Sequence, residues 1–346
     1  MEIPSIYLNR ILTEAAKNNA SELHLVVGSL PMARAGSKFA TLENEEIVTT
    51  ELLNKIIEII LSQAEIVKLK EDREIVLVKN LVGDFRFRIN VFYQKDLPAL
   101  TFHYISGIIK NFSDLNLPKI INNFTKVNSG LLIIAGHYSS GRTTTISAFI
   151  EEVNKNSSKS IITLEDPIEF LFVNKKSLIA QRQIGRDVKT FSNGLSYCLK
   201  EDVDLIYVSE INKEEEFILS MPLILELASG NCLVILEING DSSTRVIEKI
   251  LEAVGKKNSV EASRHSLTDV LLGVVVQKLV PLVGGGLVLA TEILLNNSAV
   301  KSLIREGKLA QIENIIQTSR GEGMISLNKS LEQLLASGKI RQEDIK

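Results

Sequence analysis

Apolar and polar positions in the first hundred residues repeat with two periods, one helical and one of two residues. Residues 6–18 place their apolar side chains on one helical face, and "ELLNKIIEIILSQ" has the same period. "ELHLVVG" and "FRFRINVFYQ" instead alternate apolar with polar positions, as half-buried strands do. This part of the chain is therefore predicted to form a small α+β domain.

The pattern changes at Leu131. Short apolar runs follow, separated by helical patterns and bounded by turn or polar residues: "LLIIA", "SIITLE", "VDLIYVSE" and "NCLVILEI". Strands that alternate with helices in this way indicate a parallel sheet in an α/β fold. The last fifty residues, in contrast, have a helical pattern throughout.

We therefore expect an α/β protein with two domains. The N-terminal α+β domain would span residues 1–108, and a polar, turn-rich linker would span residues 109–120. The parallel-sheet core would span residues 121–346, of which about 290–346 would form a helical module.

Composition narrows the class of protein. The 346 residues are 45% hydrophobic and 23% charged, as in a globular protein with a sizeable core. The formal net charge of −3 is unlike the basic footprint of a nucleic-acid-binding protein. Aromatic residues make up only 5% of the chain and tryptophan is absent, so the sequence offers no stacking platform for single strands. We expect no nucleic-acid partner.

The N-terminus lacks the basic start and apolar stretch of a signal peptide. The most apolar region, Leu271 to Ala290, is interrupted by Gln277, Lys278, Pro281 and three consecutive glycines. It therefore falls short of the roughly 18 unbroken apolar residues that a membrane span needs. These features predict a cytoplasmic protein with no direct membrane insertion.

The sequence "AGHYSSGRTTTISAF", from Ala135 to Phe149, lies between a predicted strand and a predicted helix, which is the context of a phosphate-binding loop. Glycines let backbone N–H groups surround phosphate oxygens, and the N-terminus of the helix favours an anion. Thr143 has the hydroxyl that such loops use to bind Mg²⁺. The candidate nucleotide-binding residues are Gly136, Ser139, Ser140, Gly141, Arg142, Thr143 and Thr144.

Arg142 stands where a loop of this kind has lysine, and Ser139 stands where many such loops have a further glycine. Arginine keeps the positive charge, but it is longer and planar, and the two residues are not interchangeable at a site built around a point charge. A serine-rich turn that binds no phosphate would have the same spacing. The loop alone leaves both interpretations open.

Acidic residues follow two of the predicted strands. "IITLEDPIEF" ends its strand on Glu165 and Asp166, and "DLIYVSE" ends on Glu210. Ligands bind at the carboxyl ends of parallel strands, so these groups could bind Mg²⁺ or activate water beside the loop. Arg86 and Arg88 alternate along "FRFRIN" and so face the same side, where they would neutralise an anion or lie on a solvated face.

Together these motifs resemble the type II/IV secretion ATPase superfamily, most closely the PilT-type branch that retracts pili in twitching motility. "NASELHLVVGSLPMAR" and "RFRINVFYQ" are similar to its N-terminal motifs, "ITLEDPIEF" to its Asp box, and "DLIYVSEI" to its Walker B motif. "AVKSLIRE" stands where retraction motors carry a C-terminal signature. The resemblance covers nearly the whole chain.

The resemblance implies a PAS-like N-terminal domain and a RecA-like P-loop core in a ring, usually a hexamer, that binds ATP or ADP with Mg²⁺. It also implies an inner-membrane platform protein as partner, which would hold the cytoplasmic chain at the inner membrane. By position, Glu165 matches the catalytic carboxylate, Glu210 the Walker B glutamate and Thr143 the Mg²⁺-binding hydroxyl. Arg86 and Arg88 match arginines that reach the nucleotide.

Departures from the family pattern fall on its chemical motifs. Arg142 replaces the Walker A lysine and Ser139 a Walker A glycine. "EINGD" stands in place of the family's His box, Thr-Leu-His-Thr, so that Asn239 takes the histidine position. "INK", Ile211 to Lys213, replaces the usual Met-Arg-Asp, and His103 replaces an arginine of the N-terminal domain.

Two functions follow from the resemblance. The first is a retraction-ring subunit that is impaired in ATP hydrolysis, or lacks it, and works in a homo- or hetero-hexamer beside an active paralogue. The second is an active but slow retraction ATPase in which Arg142 does the work of the lysine. An assembly motor is disfavoured by "AVKSLIRE" and by the absence of a CxxC…CxxC insertion.

Overall fold

A computed structural model of the protein describes residues 3–17, 20–35, 38–83 and 85–345. The chain divides into two compact units. The first comprises Met1–Ile108 with Glu169–Leu171, and the second comprises Ile109–Ile168 with Phe172–Lys346. Within the described ranges, no helix combines the length and the apolar character needed to cross a bilayer.

The first unit is an antiparallel sheet with three helices. Its strand order is β3-β2-β1-β6-β5-β4. The strands are β1 (Glu22–Val26), β2 (Met32–Ala35), β3 (Lys38–Thr41), β4 (Glu74–Val82), β5 (Phe85–Gln94) and β6 (Leu97–Ile105). The helices are α1 (Pro4–Lys17), α2 (Thr50–Ile60) and α3 (Gln63–Asp72). The two predicted strands and two predicted helices of this part are all present.

Two helices of the first unit, α2 and α3, begin at side-chain caps that the sequence encodes. Thr49 Oγ1 accepts a hydrogen bond from Leu52 N at the start of α2. Ser62 and Glu65 form a capping box at the start of α3, each side chain bonding the backbone N–H of the other residue. These bonds satisfy amide groups that the first helical turn leaves without partners. The apolar face of α2 then packs into the core of this unit.

The second unit is built on a seven-stranded sheet with the order β13-β12-β7-β11-β10-β8-β9. All neighbouring strands are parallel except β12 and β13, which form an antiparallel pair. The strands are β7 (Gly130–Gly136), β8 (Ser160–Glu165), β9 (Leu178–Gln183), β10 (Leu205–Val208), β11 (Leu233–Asn239), β12 (Leu271–Pro281) and β13 (Leu287–Leu295). The α/β fold class is confirmed, with a mixed rather than purely parallel sheet in this unit.

Nine α-helices accompany this sheet in the described part of the second unit. They are α4 (Lys119–Phe124), α5 (Arg142–Asn156), α6 (Phe191–Cys198), α7 (Glu214–Ser229), α8 (Ser243–Gly255), α9 (Val260–Val270), α10 (Ser298–Glu306), α11 (Ile312–Thr318) and α12 (Leu327–Ala336). β13 occupies the start of the segment expected to be helical, because "LVLATEILL" pairs with β12. The described helices of this segment begin at Ser298.

Parallel pairing brings the carboxyl ends of the central strands to one edge of the sheet. Gly136, the last residue of β7, pairs with Asn239 at the end of β11. Val208, the last residue of β10, pairs with both Leu236 of β11 and Leu164 of β8. The loops that follow β7, β8 and β10 therefore leave the sheet at the same edge, where α/β sheets bind their ligands.

Candidate functional site

The loop between β7 and α5 has a backbone that needs glycine. Gly136 has a φ of 152° and Gly141 a φ of 86°, both in the region that L-residues rarely adopt. A Cβ on Gly136 would lie 2.3 Å from Ser140 Oγ and 2.6 Å from the Gln277 carbonyl oxygen. Ser139 adopts a φ of 61° without being glycine. The chain thus turns tightly from the strand into a helix of 15 residues, whose first amides face the loop.

Two buried polar side chains line this turn. Ser140 is 5% exposed, and its hydroxyl has no hydrogen-bond partner among the described residues. Thr145, one helical turn further, accepts a hydrogen bond from Gln277 Nε2 at 2.8 Å. A buried hydroxyl without a partner costs free energy unless a ligand or water satisfies it. The backbone and Ser140 therefore suit an anion.

Arg142, the first residue of α5, is buried between two carboxylates. It is 6% exposed, and its Nη2 donates to Glu210 Oε2 at 2.6 Å. Its Nε lies 3.3 Å from Glu237 Oε1. Buried charges require partners of this kind, and arginine can supply two nitrogens in one plane. One positive charge thus faces two negative charges at the start of the helix.

Glu237 is the residue of this site that the sequence analysis missed. It lies within β11, is 5% exposed, and its Oε2 accepts the Tyr207 hydroxyl at 2.5 Å. Its Oε1 accepts the hydroxyl of Thr143 at 3.3 Å. A single acid in the apolar run "LVILEI" was the signal that could have revealed it, because a lone charge in a central strand requires a buried partner.

Glu165, at the end of β8, has neighbours of its own. It is 3% exposed, and its Oε1 accepts hydrogen bonds from Thr163 Oγ1 at 2.6 Å and Gln181 Nε2 at 3.2 Å. The backbone amide of Asp166 donates to Ser209 Oγ at 3.1 Å. The chain segments after β8 and β10 are therefore bonded to each other. The structure brings Arg142, Thr143 and Glu210 together, and Glu165 is bonded to Thr163 and Gln181 at the end of β8.

Arg86 and Arg88 belong to the first unit and reach the same residue. Arg86 Nε donates to the Glu169 carbonyl oxygen at 2.6 Å, and Arg88 Nη1 donates to Glu169 Oε1 at 3.1 Å. Their common direction agrees with the alternation predicted for β5. In this arrangement the anionic partner of Arg88 is the Glu169 carboxylate.

A second charged cluster lies around Glu22 on β1 and β6. Glu22 Oε2 lies 3.1 Å from His24 Nε2 and 3.0 Å from Arg34 Nε, and Glu22 Oε1 lies 3.7 Å from His103 Nδ1. The imidazoles of His103 and His24, with the Arg34 guanidinium, hold the pKa of Glu22 far below its usual range. His103, which stands at an arginine position of the family pattern, thus serves as a partner of Glu22.

Comparisons with known proteins decide the family. The profile of the type II/IV secretion system protein family matches residues 111–285, which include the loop and both strand-end acids. The chain belongs to this family. It is 31% identical to the type IV pilus retraction ATPase PilT of Pseudomonas aeruginosa, over 97% of this chain and 96% of that protein.

Two further relatives agree with this assignment. The twitching motility protein of Neisseria gonorrhoeae is 34% identical over 75% of this chain and 68% of its own length. A crystal structure of the pilus retraction motor PilT with bound ADP is 32% identical, with a TM-score of 0.83 over 98% of this chain and 95% of that chain. The fold of this chain therefore matches that of PilT.

The backbone of the loop suits a nucleotide phosphate, but its cation, Arg142, is already paired with carboxylates. The backbone turn, the amides at the start of α5 and the Ser140 hydroxyl are available to an anion. The charge of Arg142, in contrast, is already balanced by Glu210 and Glu237. A phosphate at this loop would have to share Arg142 with two carboxylates.

Proposed function

We propose that this protein is a PilT-like subunit of a type IV pilus retraction ring that binds nucleotide but is impaired in ATP hydrolysis, or lacks it. The backbone of the loop, Ser140 and Thr144 would hold the phosphates, and the Thr143 hydroxyl would bind Mg²⁺. The similarity to PilT over nearly the whole chain supports the assignment to pilus retraction.

One contact carries the proposal of impaired hydrolysis. Glu210, the acid at the Walker B position, is bonded to Arg142 at 2.6 Å. ATP hydrolysis requires a cation on the phosphates and carboxylates free to order Mg²⁺ and the attacking water. When these two groups neutralise each other, neither is available for its role, and the loss of one such contact can cost several powers of ten in rate.

The chain would act in a ring with other subunits. We expect a homo-hexamer or a mixed hexamer with an active paralogue, seated on an inner-membrane platform protein, with the chain itself cytoplasmic. Light scattering of the purified protein, alone and with the paralogue and ADP, measures the size of the assembly. A strict monomer under all these conditions would contradict the ring.

Phosphate release by the full-length protein in Mg-ATP tests the central claim. We expect the unaltered chain and the variant Glu210→Gln to release phosphate at the same background rate. Glu226→Gln is a matched control, because Glu226 is an exposed acid on α7 that bonds nothing in the loop. A rate for the unaltered chain well above that of Glu210→Gln would contradict the proposal.

The alternative is a slow but active motor in which Arg142 replaces the lysine. It is favoured by the retained acids Glu165 and Glu210 at the strand ends and by the intact glycine turn. In that case, turnover would be measurable, and Arg142→Ala would abolish it. The same phosphate-release assay therefore separates the two functions.

A further inference from the structure

Glu237 contacts two of the side chains that the loop would offer to a nucleotide, Arg142 and Thr143. Its Oε1 accepts the hydroxyl of Thr143 at 3.3 Å and lies 3.3 Å from Nε of Arg142. Its Oε2 accepts the Tyr207 hydroxyl at 2.5 Å. With donors on both oxygens and an exposure of 5%, the carboxylate has a fixed position beside the loop.

We propose that Glu237 is an internal anion that competes with nucleotide phosphates for Arg142 and thereby sets a low affinity of the loop for ADP and ATP. This inference rests on the proposed nucleotide binding of the same loop, whose affinity Glu237 sets.

The charges support this competition. Arg142 supplies one positive charge, and Glu210 and Glu237 supply two negative charges, so the three side chains together carry a formal charge of −1. Charges a few ångströms apart in a poorly hydrated site interact strongly, because little water screens them. A phosphate that approaches Arg142 therefore meets a guanidinium that already pairs with two carboxylates. Replacing Glu237 by a neutral residue brings the formal charge to zero.

Tyr207 is the positioning residue of this arrangement. It lies on β10, is 2% exposed, and its hydroxyl donates to the carboxylate oxygen opposite the one near Arg142. The bond holds Glu237 without touching the loop. Tyr207→Phe removes only this hydroxyl, so Glu237 keeps its charge and its contacts through Oε1 but is held less firmly, because the bond to Oε2 is lost.

The experiment is calorimetric binding of ADP to the full-length protein, with and without Mg²⁺. We expect Glu237→Gln and Glu237→Thr to bind ADP at least about tenfold more tightly than the unaltered chain. Tyr207→Phe should tighten binding in the same direction by about threefold. Glu151→Gln is the matched control. Glu151 is a buried acid on α5, the helix that begins at Arg142, and it bonds Lys175 and Asn154 instead of the loop.

The outcomes are separable from those of the proposed function, since ADP binding requires no turnover. Folded Glu237 variants that bind ADP no more tightly than the unaltered chain would overturn the inference. If the Glu237 variants do not fold, unchanged binding by Tyr207→Phe would overturn it. An equal increase in ADP affinity in Glu237→Thr and in the control Glu151→Gln would also count against it. If neither the unaltered chain nor any variant bound ADP, both proposals would be overturned.

Discussion

Removing the Arg142 guanidinium should destabilise the second unit more than any ordinary loss of a surface charge. Arg142→Met keeps a long apolar stem but removes the guanidinium that lies 3.3 Å from the carboxylate of Glu237, which is 5% exposed. Breaking a buried ion pair in this way costs about 3–5 kcal/mol. Glu237 keeps its bonds to Tyr207 and Thr143, and the Glu210 side chain is 24% exposed and can turn to water. We therefore expect the lower end, about 3 kcal/mol.

Native-state hydrogen exchange of β7 and β11, read by mass spectrometry, measures this loss in the second unit alone. A cost of about 3 kcal/mol corresponds to exchange that is about a hundredfold faster where it proceeds through unfolding. The double variant Arg142→Met with Glu237→Leu removes both charges, and it should regain most of the lost stability because apolar replacements of buried pairs are often neutral.

Arg186→Met is the matched control, because Arg186 forms an exposed pair with Asp187 and its side chain is 63% exposed. We expect a change of less than about 0.5 kcal/mol there. Equal protection of β7 and β11 in Arg142→Met and in this control would contradict the expected cost. A double variant that is less stable than Arg142→Met alone would contradict it as well.

Two further predictions concern other parts of the chain. Because the pKa of Glu22 is lower in the folded chain than in the unfolded chain, where it is about 4.5, the ionised carboxylate stabilises the first unit at pH values above about 4.5. This contribution to stability is lost progressively as the pH falls below that value. Hydrogen exchange of β1 should therefore be faster in Glu22→Gln than in the unaltered chain at pH 7, and the difference should shrink below pH of about 4.5; a constant difference would contradict this. Burial raises the pKa of Cys198 to about 11 and that of Cys232 to about 12. Both thiols should resist alkylation at pH 8 until the protein is denatured, and rapid labelling of the native protein would contradict this.

Sequence patterns predicted several elements of each unit because local periodicity determines them. The alternating run "FRFRINVFYQ" forms β5, and the four apolar runs after residue 130 form β7, β8, β10 and β11. The segment "LVLATEILL" forms β13 and pairs with β12, although its second half was expected to be helical. Its apolar positions are too closely spaced for period alone to separate a buried strand from a helix.

The unusual residues were visible in the sequence, but their contact was not. Arg142 and Glu237 stand 95 positions apart, and the parallel register of β7 and β11 brings their two chain segments together. Asn239, which is exposed at the end of β11, stands at the His-box position of the family pattern, whereas the sequence pattern gave no role to Glu237 two residues earlier. Side chains alternate along a strand, so these two residues share a face, but only Glu237 is buried.

Arg142 and Glu237 form one buried pair in the folded chain, so the role of either side chain depends on the other. A lysine at position 142 would bring a single compact ammonium, whereas Arg142 reaches Glu210 with Nη2 and Glu237 with Nε at the same time. An acid at position 237 beside a phosphate-binding lysine would leave two carboxylates to share one point charge. The planar guanidinium contacts both acids in a buried site with two different nitrogens, which a single ammonium could not do in the same geometry. The loop thus combines a tight glycine turn with a cation that contacts two of the protein's own carboxylates.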